Sequence, residues 1–316
     1  RWIVLLFGLI GLASCVTPTN PLYEIGLSLE RGLAGLKPAS VEVDGRTIAY
    51  LERSGEGETI VLLHGFAANK DNWIRFARHI PRSYRLLIFD LPGHGESSFD
   101  PTLSYDAFSI ANQMWGTFDK LQLEQIHLVG HSLGGWIAIL LASERPTSIL
   151  TLGLFDAAGI HPPVRSELQV LLEQGDNPLL VRTKEDFERL LAFVFHKTTF
   201  MPWPIKPVLA NTYMARANIN QKIWDDISSR LEHSLDALRT LIMPTLVLWG
   251  DLDRVLDVSS VEVYREHLPD PTIVIMKDCG HSPMAERPME AAEIYVEFLG
   301  DEPATRSPGG ETQRRD

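Results

Sequence analysis

Gly130-His131-Ser132-Leu133-Gly134 constrains this chain more than any other stretch. The apolar run Ile126-His127-Leu128-Val129 precedes it, and an apolar run from Trp136 to Ala142 follows. This pattern predicts a strand, a sharp turn and a helix, with a serine at the apex. Gly-x-Ser-x-Gly in that setting is a nucleophile elbow, whose backbone lifts the serine hydroxyl clear of the sheet. Glycine is needed at both flanks because a Cβ would clash where strand and helix pass closely. The plainer reading is a strand-to-helix turn without chemistry, and the rest of the chain weighs against it.

Around the elbow, strand and helix patterns alternate. Val41 to Val43, Asp44-Gly45 and Thr47 to Leu51 predict a hairpin with an Asp-Gly turn. Strands follow at Thr59–Leu63, Arg85–Phe89, Ile126–Val129 and Ile149–Phe155, with helices at Asp71–Ile80 and Tyr105–Leu121 between them. The last strands are Thr245–Trp249 and Thr272–Met276, with helices at Val258–His267 and Met289–Leu299. Such alternation specifies an α/β fold with a mostly parallel sheet covered on both faces. Active groups are then expected at the carboxyl ends of the strands. The alternation lapses between about residues 158 and 243, where helical segments at Glu185–Phe195 and Leu209–Ile223 predict an inserted cap. Its aromatics are Phe187, Phe193, Phe195, Phe200, Trp203, Tyr213 and Trp224. They would line an acyl-chain pocket or, for most of them, form the cap's own core.

Length admits one large α/β domain with an insertion, or two small domains. The net charge of −12 opposes nucleic-acid binding and simple electrostatic docking on anionic lipid. The cysteines, Cys15 and Cys279, support neither a zinc site nor a disulfide framework. Trp2 to Val16 is almost wholly apolar behind Arg1. Leu12-Ala13-Ser14-Cys15 reads as a lipobox; the same run reads as a retained anchor, the preferred expectation. At ~1.5 Å per residue the run reaches about 22 Å against a hydrocarbon core of ~30 Å. Arg1 on one flank, with Glu24 and Glu30 on the other, directs the remainder of the chain to the periplasmic side of a bacterial inner membrane. Leu22, Ile25, Leu29, Leu33 and Leu36 then form an apolar stripe ended by Pro38. The stripe could face the bilayer, the domain itself, or the same helix of a second copy, where Ser28 and Gly32 would permit close approach. The expected organisation is an anchor (1–20), an amphipathic juxtamembrane helix (21–37), a core (38–157 and 244–300), a helical cap (158–243) and a mobile tail (301–316).

A serine hydroxyl needs a base, and the base needs a group to hold its tautomer. His281 is the expected base: it lies beyond a late strand, flanked by Gly280. Asp253, in Gly250-Asp251-Leu252-Asp253, is the expected acid; Asp251 could cap the turn, and Asp156, after the preceding strand, is another possible acid. The oxyanion needs two preorganised N–H donors, expected from the backbones of Phe66 and Leu133. His64 is read as a brace for the Phe66 turn, and Cys279 as a small buried residue. No metal and no cofactor is expected.

Together, His64-Gly65-Phe66, Asp90-Leu91-Pro92-Gly93-His94-Gly95, the Ser132 elbow, Trp249 to Asp257 and Gly280 to Pro288 resemble the lipolytic α/β-hydrolases. The set is similar to bacterial family V lipases and membrane-anchored monoacylglycerol lipases. With the N-terminal anchor and helix, it is most similar to bacterial inner-membrane phospholipases A. The resemblance covers about residues 40 to 300 and implies Ser132, Asp253 and His281 as triad, Phe66 and Leu133 as oxyanion donors, and a lid over an acyl tunnel. The lipobox-like Cys15 departs from a plain anchor. The function expected is a membrane-anchored phospholipase A, of A1 type, acting on glycerophospholipids and lysophospholipids in membrane remodelling, with a homodimer through the N-terminal helices. Alternatives are a lipase or esterase for monoacylglycerols or short esters, a C–C bond hydrolase, and a non-catalytic lipid-binding protein.

Overall fold

The computed structural model describes residues 20–197, 201, 203–229 and 235–300. The anchor, Cys15, Phe200 and the tail, except Asn20 at the anchor's edge, lie outside the described residues.

Eight strands form one sheet: β1 (Lys37–Val43), β2 (Arg46–Arg53), β3 (Thr59–Leu63), β4 (Arg85–Phe89), β5 (Ile126–His131), β6 (Ile149–Phe155), β7 (Thr245–Gly250) and β8 (Thr272–Met276). Their spatial order is β1-β2-β4-β3-β5-β6-β7-β8. β1 and β2 pair antiparallel about the Asp44-Gly45 turn, and β2 meets β4 antiparallel. From β4 to β8 every pairing is parallel. β3, β5 and β7 are buried along almost their whole length, as expected of strands covered on both faces. The helices Ala107–Lys120 and Leu133–Glu144 cover one face, with Trp115, Phe118 and Trp136 in that core. Trp73, Phe76 and Tyr295 lie in the core of the other.

Three local readings need correction. The N-terminal helix is Pro21–Ala34, capped by the Asn20 side chain, and it ends at Gly35, not at Pro38. Gly35 adopts φ 72, and its N–H returns to the carbonyls of Arg31 and Gly32, a left-handed cap that glycine adopts without strain. Pro38 lies in the edge strand β1, where its missing N–H costs little. Asp71–Ile80 is broken into a 3₁₀ turn (Lys70–Trp73) and one α-turn (Ile74–Ala77). Leu209–Ile223 is two helices, Ile205–Ala215 and Ala217–Ser229, parted at Arg216. The Arg216 guanidinium donates to the carbonyls of Gly93 and Gly95, tying that break to the core.

The N-terminal helix docks on the domain, but not by its apolar stripe. Arg31 makes a two-pronged pair with Asp71 at 2.8 and 2.7 Å, and Arg82 donates to the carbonyls of Leu33 and Ala34. Those bonds turn Leu22, Ile25, Leu29 and Leu33 outward, each more than half exposed. Leu36, assigned to the same stripe, is buried beyond the helix end. Among the described residues, no helix is long and apolar enough to cross a membrane.

Candidate active site

The elbow is strained where the sequence requires it. Ser132 has φ 53 and ψ −118, rare for a residue with a side chain. A Cβ on Gly130 would come within 2.1 Å of the Gly134 carbonyl oxygen, and one on Gly134 within 2.5 Å of that of His64. Strand, turn and helix can therefore close only with glycine at these positions. Leu133 opens the helix Leu133–Glu144, whose first N–H groups have no acceptor within the helix.

Across the carboxyl edge of the sheet, the structure brings the late residues to the elbow. His281 and Ser132 line one pocket. His281 Nδ1 lies 2.8 Å from Asp253 Oδ2, and both side chains are buried. Asp253 Oδ1 accepts the N–H groups of Val255 at 2.8 Å and Leu256 at 3.0 Å, which fixes the plane of the carboxylate. Asp251 instead accepts the Cys279 N–H. Asp156, the alternative acid, is buried close by but has no hydrogen bond to the histidine. His131 donates from Nε2 to the His281 carbonyl at 2.7 Å, supporting the histidine loop from beneath.

Phe66 lines the same pocket and packs edge-on against Trp224 at 5.3 Å. Its turn is braced as read from the sequence. His64 Nδ1–H donates to the Gly65 carbonyl at 2.8 Å, and Nε2 accepts the Leu91 N–H at 3.0 Å. Complete burial, with Lys70 and Arg216 nearby, pushes the His64 pKa down to about 3, so the ring stays neutral. Behind it, the buried Lys70 ammonium pairs with Asp90 at 2.7 Å. Burial opposes the Lys70 charge, but Asp90, Asp71 and Glu96 outweigh it and raise its pKa above the ordinary lysine value. Cys279 is fully buried and its thiol is pushed up by burial, which removes it as a nucleophile.

The pocket is about 90 Å³ and mainly aliphatic, with Leu179, Leu190, Leu191, Val194 and Val255 on its wall. Of the cap aromatics, Phe195 and Tyr213 line it. Phe187 and Phe193 sit in the cap's own core, and Trp203 is exposed.

Glu286 was not singled out from the sequence. Its carboxylate accepts the N–H groups of His196 at 3.0 Å, Lys197 at 2.9 Å and Gly280 at 3.1 Å. The His281 N–H adds a bond to the Val194 carbonyl at 2.8 Å. The cap is thus clasped to the histidine loop at Val194–Lys197. The available signal was the position of Glu286 inside the Gly280–Pro288 motif. Glu286→Ala is expected to cost about 1–2 kcal/mol and to hasten proteolytic nicking of the cap near Lys197 before global unfolding. Limited proteolysis against wild type reads this out; identical nicking rates would refute the clasp.

The α/β-hydrolase fold model matches residues 58–288. The chain belongs to this family. Lipase 3 of Moraxella sp. (strain TA144) is 32% identical over 299 residues, spanning 92% of this chain and 94% of its own. Monoacylglycerol lipase abhd6-B of Xenopus laevis is 32% identical, spanning 78% and 77%. The crystal structure of a membrane phospholipase A, described as a bacterial virulence factor, is 45% identical. It superposes with a TM-score of 0.86 over 88% of this chain and 90% of that one. These relatives are carboxylic ester hydrolases.

Proposed function

We propose that this α/β-hydrolase, a carboxylic ester hydrolase by kinship, releases fatty acids from glycerophospholipids and lysophospholipids as a membrane-anchored phospholipase A of A1 type, in phospholipid remodelling. The observation that carries the reading is that His281, hydrogen-bonded to the buried Asp253, lines the same aliphatic pocket as a strained, elbow-borne Ser132. Ser132 Oγ attacks the ester carbonyl while His281 Nε2 takes its proton. Asp253 holds the imidazole with Nδ1 protonated and stabilises the cation that forms. The N–H groups of Phe66 and Leu133 receive the oxyanion. His281 returns its proton to the leaving alcohol, and a water deprotonated by His281 then frees the fatty acid from Ser132.

On this reading residues 158–243 close the pocket as a lid, and residues 1–20 tether the enzyme to the bacterial inner membrane, facing the periplasm. The outward stripe Leu22, Ile25, Leu29 and Leu33 lies just beyond that tether, suited to the bilayer surface or to a second copy in a homodimer. A lipase or esterase for monoacylglycerols or short esters is the second reading. It is favoured by the pocket volume of about 90 Å³, below the ~300 Å³ at which small-molecule sites usually begin. On the first reading the cap separates from the core to admit a long acyl chain.

Fatty-acid release by the purified full chain from diacyl phospholipids, lysophospholipids, monoacylglycerols and p-nitrophenyl esters decides between them. Release from phospholipids is expected. Release confined to monoacylglycerols and short esters would establish the second reading, and no release with no fluorophosphonate labelling would leave a lipid-binding protein.

A further inference from the structure

Asp156 follows β6 directly, at a left-handed backbone position with φ 42. It is fully buried. Its Oδ1 accepts the Gly250 N–H at 2.9 Å, while Oδ2 is buried with no hydrogen-bond partner. One oxygen of Asp156, one of Asp253 and a ring nitrogen of His281 all lie within 4.8 Å of one another. The pairing at 2.8 Å gives His281 to Asp253, so Asp156 is left facing a carboxylate with an unsatisfied oxygen. An unpaired carboxylate in that position would be desolvated and repelled at once.

We propose that Asp156 is a positioning residue for the site: its carboxyl carries a proton at neutral pH and donates it in a hydrogen bond to Asp253, so the two acids share one negative charge. This rests on reading Ser132, His281 and Asp253 as the working triad. The titratable groups that bear on Asp156 are Asp253, Glu286, the imidazole of His281 and the buried thiol of Cys279. Burial first, and then the Asp253 charge, raise its carboxyl well above the ordinary aspartate range. The consequence falls on the base. With a donor from Asp156, Asp253 stabilises the His281 cation less, which keeps the imidazole free to accept a proton, and its plane is held from a second side.

The test compares Asp156→Asn, which keeps a donor and an acceptor, with Asp156→Leu, which keeps the bulk and loses both. In infrared difference spectra of wild type against Asp156→Asn, a protonated-carboxyl C=O band is expected in wild type at neutral pH and not in the variant. A wild type without that band overturns the proposal, whatever the activity. In kcat/KM for a short p-nitrophenyl ester, Asp156→Leu is expected to fall about tenfold and to move the acid limb of the pH profile upward. Asp156→Asn is expected to restore most of the rate with the limb near its wild-type position. An ionised Asp156 would make Asp156→Asn shift that limb downward by about 1 unit or more, because a nearby negative charge has gone; that result also overturns the proposal. Full activity in Ser132→Ala would refute the triad without touching the infrared result, so the two failures are distinct.

Discussion

Ser132→Ala is expected to lower kcat for every ester the enzyme accepts by at least about 10³-fold while leaving the fold intact. The hydroxyl is the atom that would form the acyl-enzyme, and nothing nearby can replace it. Cys279 is buried, and Ser282, which lines the same pocket, is itself buried with its Oγ 3.5 Å from His131 Nε2, and no strained elbow presents it. The residual rate would come from the proposed oxyanion donors, the N–H groups of Phe66 and Leu133, and from binding alone. Stability should change by less than about 0.5 kcal/mol, since alanine keeps the Cβ and the Ser132 backbone bonds, N–H to Phe155 and carbonyl from Ala158, are unaffected. Fatty-acid release and fluorophosphonate labelling, measured beside a thermal melt, check both halves. Retention of a tenth or more of wild-type kcat by a correctly folded variant would end the acyl-enzyme mechanism.

Asp90→Ala is the corresponding result for stability, with an expected loss of about 3–5 kcal/mol. Asp90 is fully buried and answers three donors: Lys70 Nζ at 2.7 Å, the Lys70 N–H at 2.7 Å and the Glu96 N–H at 2.8 Å. Its removal strands an ammonium that is only 1% exposed, with the more exposed Glu96 carboxylate at 3.2 Å as partial compensation. The damage is also aimed at the site, because Lys70 follows directly on the turn that carries Phe66. Urea unfolding should show a lower midpoint at unchanged slope. Asp90→Ala combined with Lys70→Met should recover part of the loss, since no charge is then left buried. A midpoint equal to that of wild type would mean that the ion pair contributes nothing net.

Neighbouring geometry explains what was legible before folding. The hairpin at Asp44-Gly45 was readable because a two-residue turn with φ 50 and 73 is a local requirement that those residues meet. β6 was readable to the residue, Ile149–Phe155, because it is a short, largely apolar segment whose last four residues are buried. The elbow was readable because Gly130 answers a contact only four residues away, with the Gly134 carbonyl, although Gly134 answers the distant carbonyls of Leu63 and His64. The same logic failed at Gly35 and Pro38. Both residues can end a helix, and the choice went to the left-handed cap that came first. It failed again at Arg216, where the reason for the break is the distant pair of carbonyls at Gly93 and Gly95.

Amphipathicity revealed an apolar stripe on the N-terminal helix but not its direction. Arg31–Asp71 and Arg82 hold the opposite side against the domain, and those partners lie 40 or more positions away. The site divides in the same way. Serine, acid and histidine were named by residue type, chain order and their places after strands, all of which are properties of the sequence alone. The acid was chosen as Asp253, but the sequence left Asp156 open beside it. Asp253 and Asp156 both follow strands of the same parallel sheet, and only packing of β6 beside β7 puts one on His281 Nδ1 and turns the other toward Gly250. The strand periods, the hairpin and the elbow were therefore determined by the sequence itself, because short-range sterics and burial patterns act between near neighbours. The strand order, the docked face of the first helix, the Glu286 clasp and the placing of Asp156 beside the His281–Asp253 pair were decided only by the tertiary structure. Each depends on distances between residues far apart in the chain, and these are fixed only when the whole core closes.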